Sequence, residues 1–134
     1  MKTLSLLALC SVILVAACNK NGDDNAVRLL KEGVYTGTFT RTGMDTAEIK
    51  LYVQGATYRG ESNIARYPAI CAGSHVIDGN TISFTDTCAR TADFDWTLIL
   101  DGNFSYEQED DTHVRFWKTN NSVTDEYRLR RLVR

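Results

Sequence analysis

The chain predicts an all-β fold: an antiparallel up-and-down β-barrel of eight or nine short strands, preceded by a short N-terminal helix. Three observations predict it. Apolar and polar residues alternate with a period of two through most of the sequence after residue 33, which is strand spacing. The two Trp, six Tyr and five Phe all lie after position 34, so the core starts there. Turn signals recur at hairpin intervals, most clearly Asp78-Gly79-Asn80 and Asp101-Gly102-Asn103, where glycine and asparagine tolerate positive φ. Closure into a barrel is favoured over a sandwich because it leaves no exposed edge strand.

The elements follow in order. Residues 26–32 read as a short helix, with Asn25 as its cap, Val27, Leu29 and Leu30 as its apolar contacts and Gly33 as its stop. Residues 34–41 place Tyr35, Gly37 and Phe39 on one face and threonines on the other. Residues 47–54 alternate Ala47, Ile49, Leu51 and Val53 with Glu48, Lys50, Tyr52 and Gln54. Shorter strands are expected over 57–62, 75–78 and 81–86, the last carrying Ile82 and Phe84 on one face. Phe94, Trp96, Leu98 and Leu100 alternate with polar residues and Ile99, which reads as another strand. Phe104 and Tyr106, then Val114 and Phe116, continue the pattern, and 123–131 closes it with Tyr127 and Leu129 on one face.

Length and composition bound the rest. The 134 residues make one domain, and 43% hydrophobic content with 24% charge and a single proline is globular composition. A formal net charge of −2 gives no nucleic-acid footprint.

The N-terminus reads as a targeting segment. Lys2 is followed by an uncharged, largely apolar stretch over 4–17, too short to span a bilayer comfortably and right for a signal-peptide core. It ends in Val15-Ala16-Ala17-Cys18, which resembles the lipobox of bacterial lipoproteins. That resemblance implies cleavage after residue 17 and acylation of Cys18, including palmitate, with the acyl chains as a membrane anchor. Residues 18–25 are polar and contain Gly22, so they read as a flexible tether, and 26–134 as the barrel domain. By resemblance to lipoprotein sorting signals, Asn19 implies the bacterial outer membrane. Lys20 with Asp23 and Asp24 resembles a surface-export signal, so both the periplasmic face and the cell surface stay open.

Cys10 falls in the signal segment. Cys71 and Cys88 then remain as a pair in an oxidising compartment and are expected to form a disulfide. Their spacing fits neither a C-x-x-C redox motif nor a zinc pattern.

The order of short helix, Gly33-Val34-Tyr35 and consecutive hairpins resembles the lipocalin-like (calycin) barrels, in particular small bacterial lipoproteins of that type. Gly33-Val34-Tyr35 stands where those proteins carry G-x-W, with tyrosine replacing tryptophan. Thr124-Asp125-Glu126-Tyr127 loosely matches their T-D-Y segment, nearer the C-terminus than usual. The resemblance implies that Arg131, on the face of Tyr127, packs across the first-strand aromatic.

The search for chemistry finds little. Neither of the two histidines, His75 and His113, falls in a metalloprotease motif, and no P-loop, nucleophile elbow or dinucleotide fingerprint is present. Asp93 and Asp95 share a face, but that pattern is the ordinary polar side of a strand. Glu107, Glu109, Asp110 and Asp111 lack EF-hand spacing and read as a solvated turn. Arg128, Arg130, Arg131 and Arg134 make a basic C-terminus that balances acidic neighbours. No enzyme activity, cofactor or metal is therefore expected.

Two functional readings stand. In the first, a non-enzymatic cell-envelope lipoprotein binds a small apolar ligand within the barrel, through Tyr35, Phe39, Trp96, Tyr106 and Tyr127. In the second, the chain is a protein-binding module, an enzyme inhibitor or an accessory subunit of an outer-membrane complex. It would use the 63–74 loop, where Tyr67 and Ile70 supply contact area. The same loop is equally readable as a plug packed into the barrel end.

Overall fold

The computed structural model describes residues 27–91 and 93–133; the expected signal segment 1–17, the tether 18–25 and Cys18 lie outside the described residues. Eight strands form: β1 (Gly33–Arg41), β2 (Ala47–Gln54), β3 (Thr57–Ser62), β4 (Ala72–Asp78), β5 (Thr81–Asp86), β6 (Gly102–Gln108), β7 (His113–Asn120) and β8 (Val123–Arg131). Each pairs antiparallel with its successor, and β8 returns to pair with β1, closing the barrel. The alternation sets which face turns inward. On β2, Ala47, Ile49, Leu51 and Val53 are buried while Glu48 and Gln54 are exposed.

The up-and-down order gives the barrel two different ends. The near end, where the described chain begins, has short turns at 55–56, 79–80 and 109–112. The far end has the turns at 42–46 and 121–122 and both long connections, 63–71 and 87–101.

The N-terminal segment is extended over 27–32 and not helical. An isolated helix of two turns is marginal in water, and tertiary partners offer more. Arg28 exchanges two backbone hydrogen bonds with Ile77, at 3.2 and 2.8 Å. Leu30 is buried in the core, and its N–H donates to His75 Nε2 at 3.0 Å. The Tyr35 hydroxyl donates to the Lys31 carbonyl at 2.8 Å. The segment thus crosses the near end as a strap from β1 to β4, with Leu30 as its stopper.

The second departure is the stretch around Trp96. A ninth strand does not form. Asp95 caps a single 3-10 turn, Trp96–Leu98, its carboxylate accepting from the Thr97 N–H at 2.9 Å and the Thr97 hydroxyl at 2.6 Å. This local side-chain pairing competes with a sheet ladder. The backbone pairs instead with the 63–71 connection, through Ala69 N–H to Leu98 O at 2.9 Å and Leu100 N–H to Ala69 O at 3.2 Å. Gly102 consequently opens β6 and is not the centre of a hairpin turn.

Closure depends on one close approach. A Cβ on Gly37 would stand 1.9 Å from the Arg128 carbonyl oxygen across the β1–β8 seam. Gly37→Ala is expected to lower stability by about 3 kcal/mol, because only backbone movement relieves that overlap. Gly43→Ala, at φ +76° in open space, should cost about 1–2 kcal/mol from conformation alone. Urea midpoints of the two variants check the order.

Candidate functional site

The barrel axis is filled by aromatic rings. Tyr127 stacks on Phe116 at 4.6 Å between centroids and touches Phe39 at 4.8 Å. Phe84 joins Phe116 at 5.1 Å and Phe104 at 5.8 Å, and Tyr58 meets Phe84 edge-on at 5.3 Å. Side chains of adjoining strands therefore occupy the centre of this eight-stranded barrel. Each ring buried there contributes about 2 kcal/mol of hydrophobic stabilisation.

Four of the five residues expected to bind an apolar ligand, Tyr35, Phe39, Tyr106 and Tyr127, lie in this core. Burial raises the Tyr35 phenol to about 12 and the Tyr127 phenol well above its ordinary value. Trp96 does not join them. It is 55% exposed at the far end and stacks on Phe94 at 5.9 Å, because the Asp95-capped turn throws it outward.

Of the stretch 63–74 expected to be a loop, 72–74 open strand β4, and the remaining 63–71 connection is a plug on one side and a surface on the other. Tyr67, Pro68 and Ala69 are buried and Ile70 is half-buried against the core, so Tyr67 is not the free contact expected of it. The Tyr67 ring meets Phe39 edge-on at 5.1 Å, and its hydroxyl donates to the Asp45 carbonyl at 2.6 Å. Ile64, Ala65 and Arg66 face outward. The loop is held to the 87–101 connection by Cys71 and Cys88, whose sulfurs are at bonding distance and whose Cα atoms are 6.3 Å apart.

Beneath the plug lies a charged layer. Arg41 and Asp125 form a nearly buried pair, Nε to Oδ1 at 2.5 Å and Nη2 to Oδ2 at 2.7 Å. The same guanidinium donates to Asp95 Oδ2 at 3.1 Å, Thr97 Oγ1 at 3.0 Å and the Thr97 carbonyl at 3.1 Å. Every guanidinium N–H of Arg41 is thereby used. Hydrogen bonds from Thr97, then the neighbouring Arg41, hold the Asp95 carboxyl below the usual range. Asp95 therefore serves as a cap and an ion-pair partner, while Asp93 is exposed on the same connection. Arg41 carried no local motif, so sequence reasoning missed it; the signal was an arginine at the inward parity of β1.

The other sequence features resolve into local structure. Asp110 accepts the Thr112 and His113 N–H groups at 2.7 and 2.8 Å, which pulls its carboxyl well down and builds the turn before β7. The outward aromatics are covered by arginines, Tyr52 by Arg59 at 4.3 Å and Trp117 by Arg115 at 4.2 Å. Arg131 pairs with Tyr35 in the β1–β8 register, and its aliphatic stem lies where a Cβ on Gly33 would meet it at 3.5 Å.

Large exposed apolar side chains then gather at the barrel ends. Val27, Leu29, Leu132 and Val133 lie at the near end, and Met44, Ile64, Trp96 and Val123 at the far end. Two clefts flank the Trp96–Leu98 turn at the far end. One, of about 360 Å³, is lined by Met44, Ile64, Arg66 and Leu98. The other, of about 420 Å³, is lined by Thr97, Lys118, Asn120, Asn121 and Val123 over the Arg41–Asp125 pair.

His75 must be neutral to accept the Leu30 N–H, and burial lowers its pKa below the ordinary 6.5. The folded state thus binds fewer protons at this site than the unfolded state. The contribution is complete above the unfolded value and is lost as pH falls from 6.5 toward the lower folded value. Melting temperatures between about pH 8 and pH 5 should fall less in His75→Gln than in the parent chain. At the far end, removing the disulfide with the double variant Cys71→Ser and Cys88→Ser should cost about 3 kcal/mol, read by denaturant unfolding against the oxidised parent.

No family model, curated protein or solved structure matches this chain. What it does is therefore to be read from its own residues.

Proposed function

We propose that this chain is an acyl-anchored, non-enzymatic envelope lipoprotein that acts as a protein-binding module through the far end of its barrel. The observation that carries the reading is the distribution of apolar surface. The axis is packed with rings, the outward aromatics of β2 and β7 are covered by arginines, and of the two ends where apolar side chains stand open the far end sets Met44, Ile64 and Trp96 beside two clefts. Exposed apolar groups gathered around clefts are what partner surfaces use. The packed axis favours this reading over an apolar ligand held inside the barrel.

The anchor rests on Val15-Ala16-Ala17-Cys18 and its resemblance to a lipobox, with the outer membrane implied by Asn19. The described chain begins at the near end, so a barrel held through its N-terminus would present its far end outward. The all-antiparallel barrel is compatible with a lipocalin-like lipoprotein whose chamber has been filled. An enzyme inhibitor or an accessory subunit of an outer-membrane complex uses such a surface in the same way.

The test is photo-crosslinking of the full chain in its native membrane, with the reactive residue placed at Trp96, Met44 or the wall position Ser105. A discrete protein adduct from Trp96 and Met44 and none from Ser105 is the expected result. Adducts from Ser105 alone would overturn it. So would a stoichiometric small molecule released only when the unlabelled protein is denatured. The denatured mass also reports whether Cys18 carries acyl groups.

A further inference from the structure

Lys118 is the one basic side chain on the inward face of β7, and among the described residues its ammonium touches no carboxylate directly. Its register partner on β8 is Asp125, both of whose carboxylate oxygens are taken by Arg41. Among the described residues its only hydrogen bond is a long one, 3.5 Å, to the Asp101 carbonyl, and no carboxylate lies in salt-bridge range. The ammonium lies 4.7 Å from the centroid of the Phe104 ring, so one side of it is out of water. Partial burial pulls this amine below its ordinary pKa, against the attraction of the more distant Asp125 and Asp101 carboxylates. The cleft of about 420 Å³ opens onto it, and Asn120 and Asn121 line the cleft with side-chain amides that have no hydrogen-bond partner among the described residues.

We infer that Lys118 is the anchor for a carboxylate of the bound partner, a C-terminal carboxylate or an acidic side chain, seated in the cleft between Thr97 and Asn120. This rests on the far-end reading and names the chemistry recognised there. The ammonium has protons left over after Asp101, and a carboxylate accepts them with both oxygens in a charge-assisted pair. A single-charge anion fits better than a phosphate. Arg41 has no N–H to spare, and the Asp125 and Asp95 carboxylates beside it oppose a second negative charge. The rest of the site suits a peptide. Thr97 lines this cleft and Leu98 the apolar one, so an extended chain crossing the turn places a carboxylate on one side and an apolar side chain on the other.

The experiment uses N-acetyl-leucine, its amide and the N-acetyl methylamide of aspartate as probes of the full chain, followed by NMR of the Lys118 ε-methylene. N-acetyl-leucine is expected to shift that signal saturably and to raise the titration midpoint of the amine, while the amide does neither. Binding by the aspartate derivative as well assigns the anchor to acidic side chains; binding by N-acetyl-leucine alone assigns it to a C-terminus. Lys118→Gln, read from the methyl signals of the N-acetyl-leucine probe because the lysine signal is gone, should weaken binding about tenfold, equivalent to about 1.4 kcal/mol. Asn120→Ala, which leaves the Lys118 resonance in place, should weaken it by a smaller factor. An unmoved amine titration, equal binding of the amide, or undiminished binding in Lys118→Gln overturns the proposal. Crosslinking from Trp96 separates the two readings. Partner capture without carboxylate binding leaves the far-end surface standing and removes the Lys118 anchor. Carboxylate binding without capture does the reverse.

Discussion

Eight strands share eight ladders of peptide N–H and C=O groups, and closure of β1 onto β8 is what gives every strand a neighbour on both sides. The seam runs from Tyr35↔Arg131 to Arg41↔Asp125, and it is tight enough at Gly37 that no side chain fits between the strands. Closure at this strand number also sets the interior width. Rings from β1, β3, β5, β6, β7 and β8 meet on the axis, so the same geometry that satisfies the backbone fills the chamber. Function is thereby displaced from the interior to the ends.

The two ends are finished differently. At the near end a strap of extended chain lays Leu30 over the opening and is held by a neutral histidine. At the far end two long connections fold together, tied by Cys71–Cys88 and seated on the Arg41–Asp125 pair. A pair this poorly hydrated is weak evidence for net stability, because desolvation offsets much of the attraction. Its geometric effect is clear: one guanidinium joins β1, β8 and the 87–101 connection, fixing the turn that exposes Trp96. Lys118 sits beside that pair but outside its hydrogen bonding, so it balances the second carboxylate of the layer from a distance while its ammonium protons stay largely unused.

Strand parity was legible from the residues because alternation in β2 and β8 records which face is wet. The limits of β2, β3, β5 and β8 follow directly from it. The pattern failed where two structures share one pattern. Phe94 to Leu100 alternates like a strand, yet the Asp95–Thr97 pairing captures the backbone first. Residues 27–32 carry helix-like contacts, yet Arg28 and Leu30 find better partners on β4. Tyr67 reads equally as plug and as surface until the loop's path over Phe39 is known.

By itself, then, the sequence determined the fold class and the inward parity of Tyr35, Phe39, Phe84, Phe104, Tyr106, Phe116 and Tyr127, which depend on local periodicity, and it pointed to Cys71 and Cys88 as a pair. The tertiary structure alone decided that the rings meet on the axis, that Trp96 stands outside while Tyr67 is buried, and that Arg41 spends every donor while Lys118 keeps some free. Those outcomes depend on distances between strands far apart in the chain, such as the approach of β1 to β8 and of the 63–71 connection to Leu98. Residue order specifies the side chains that meet; the closed barrel specifies which of them are left with anything to offer a partner.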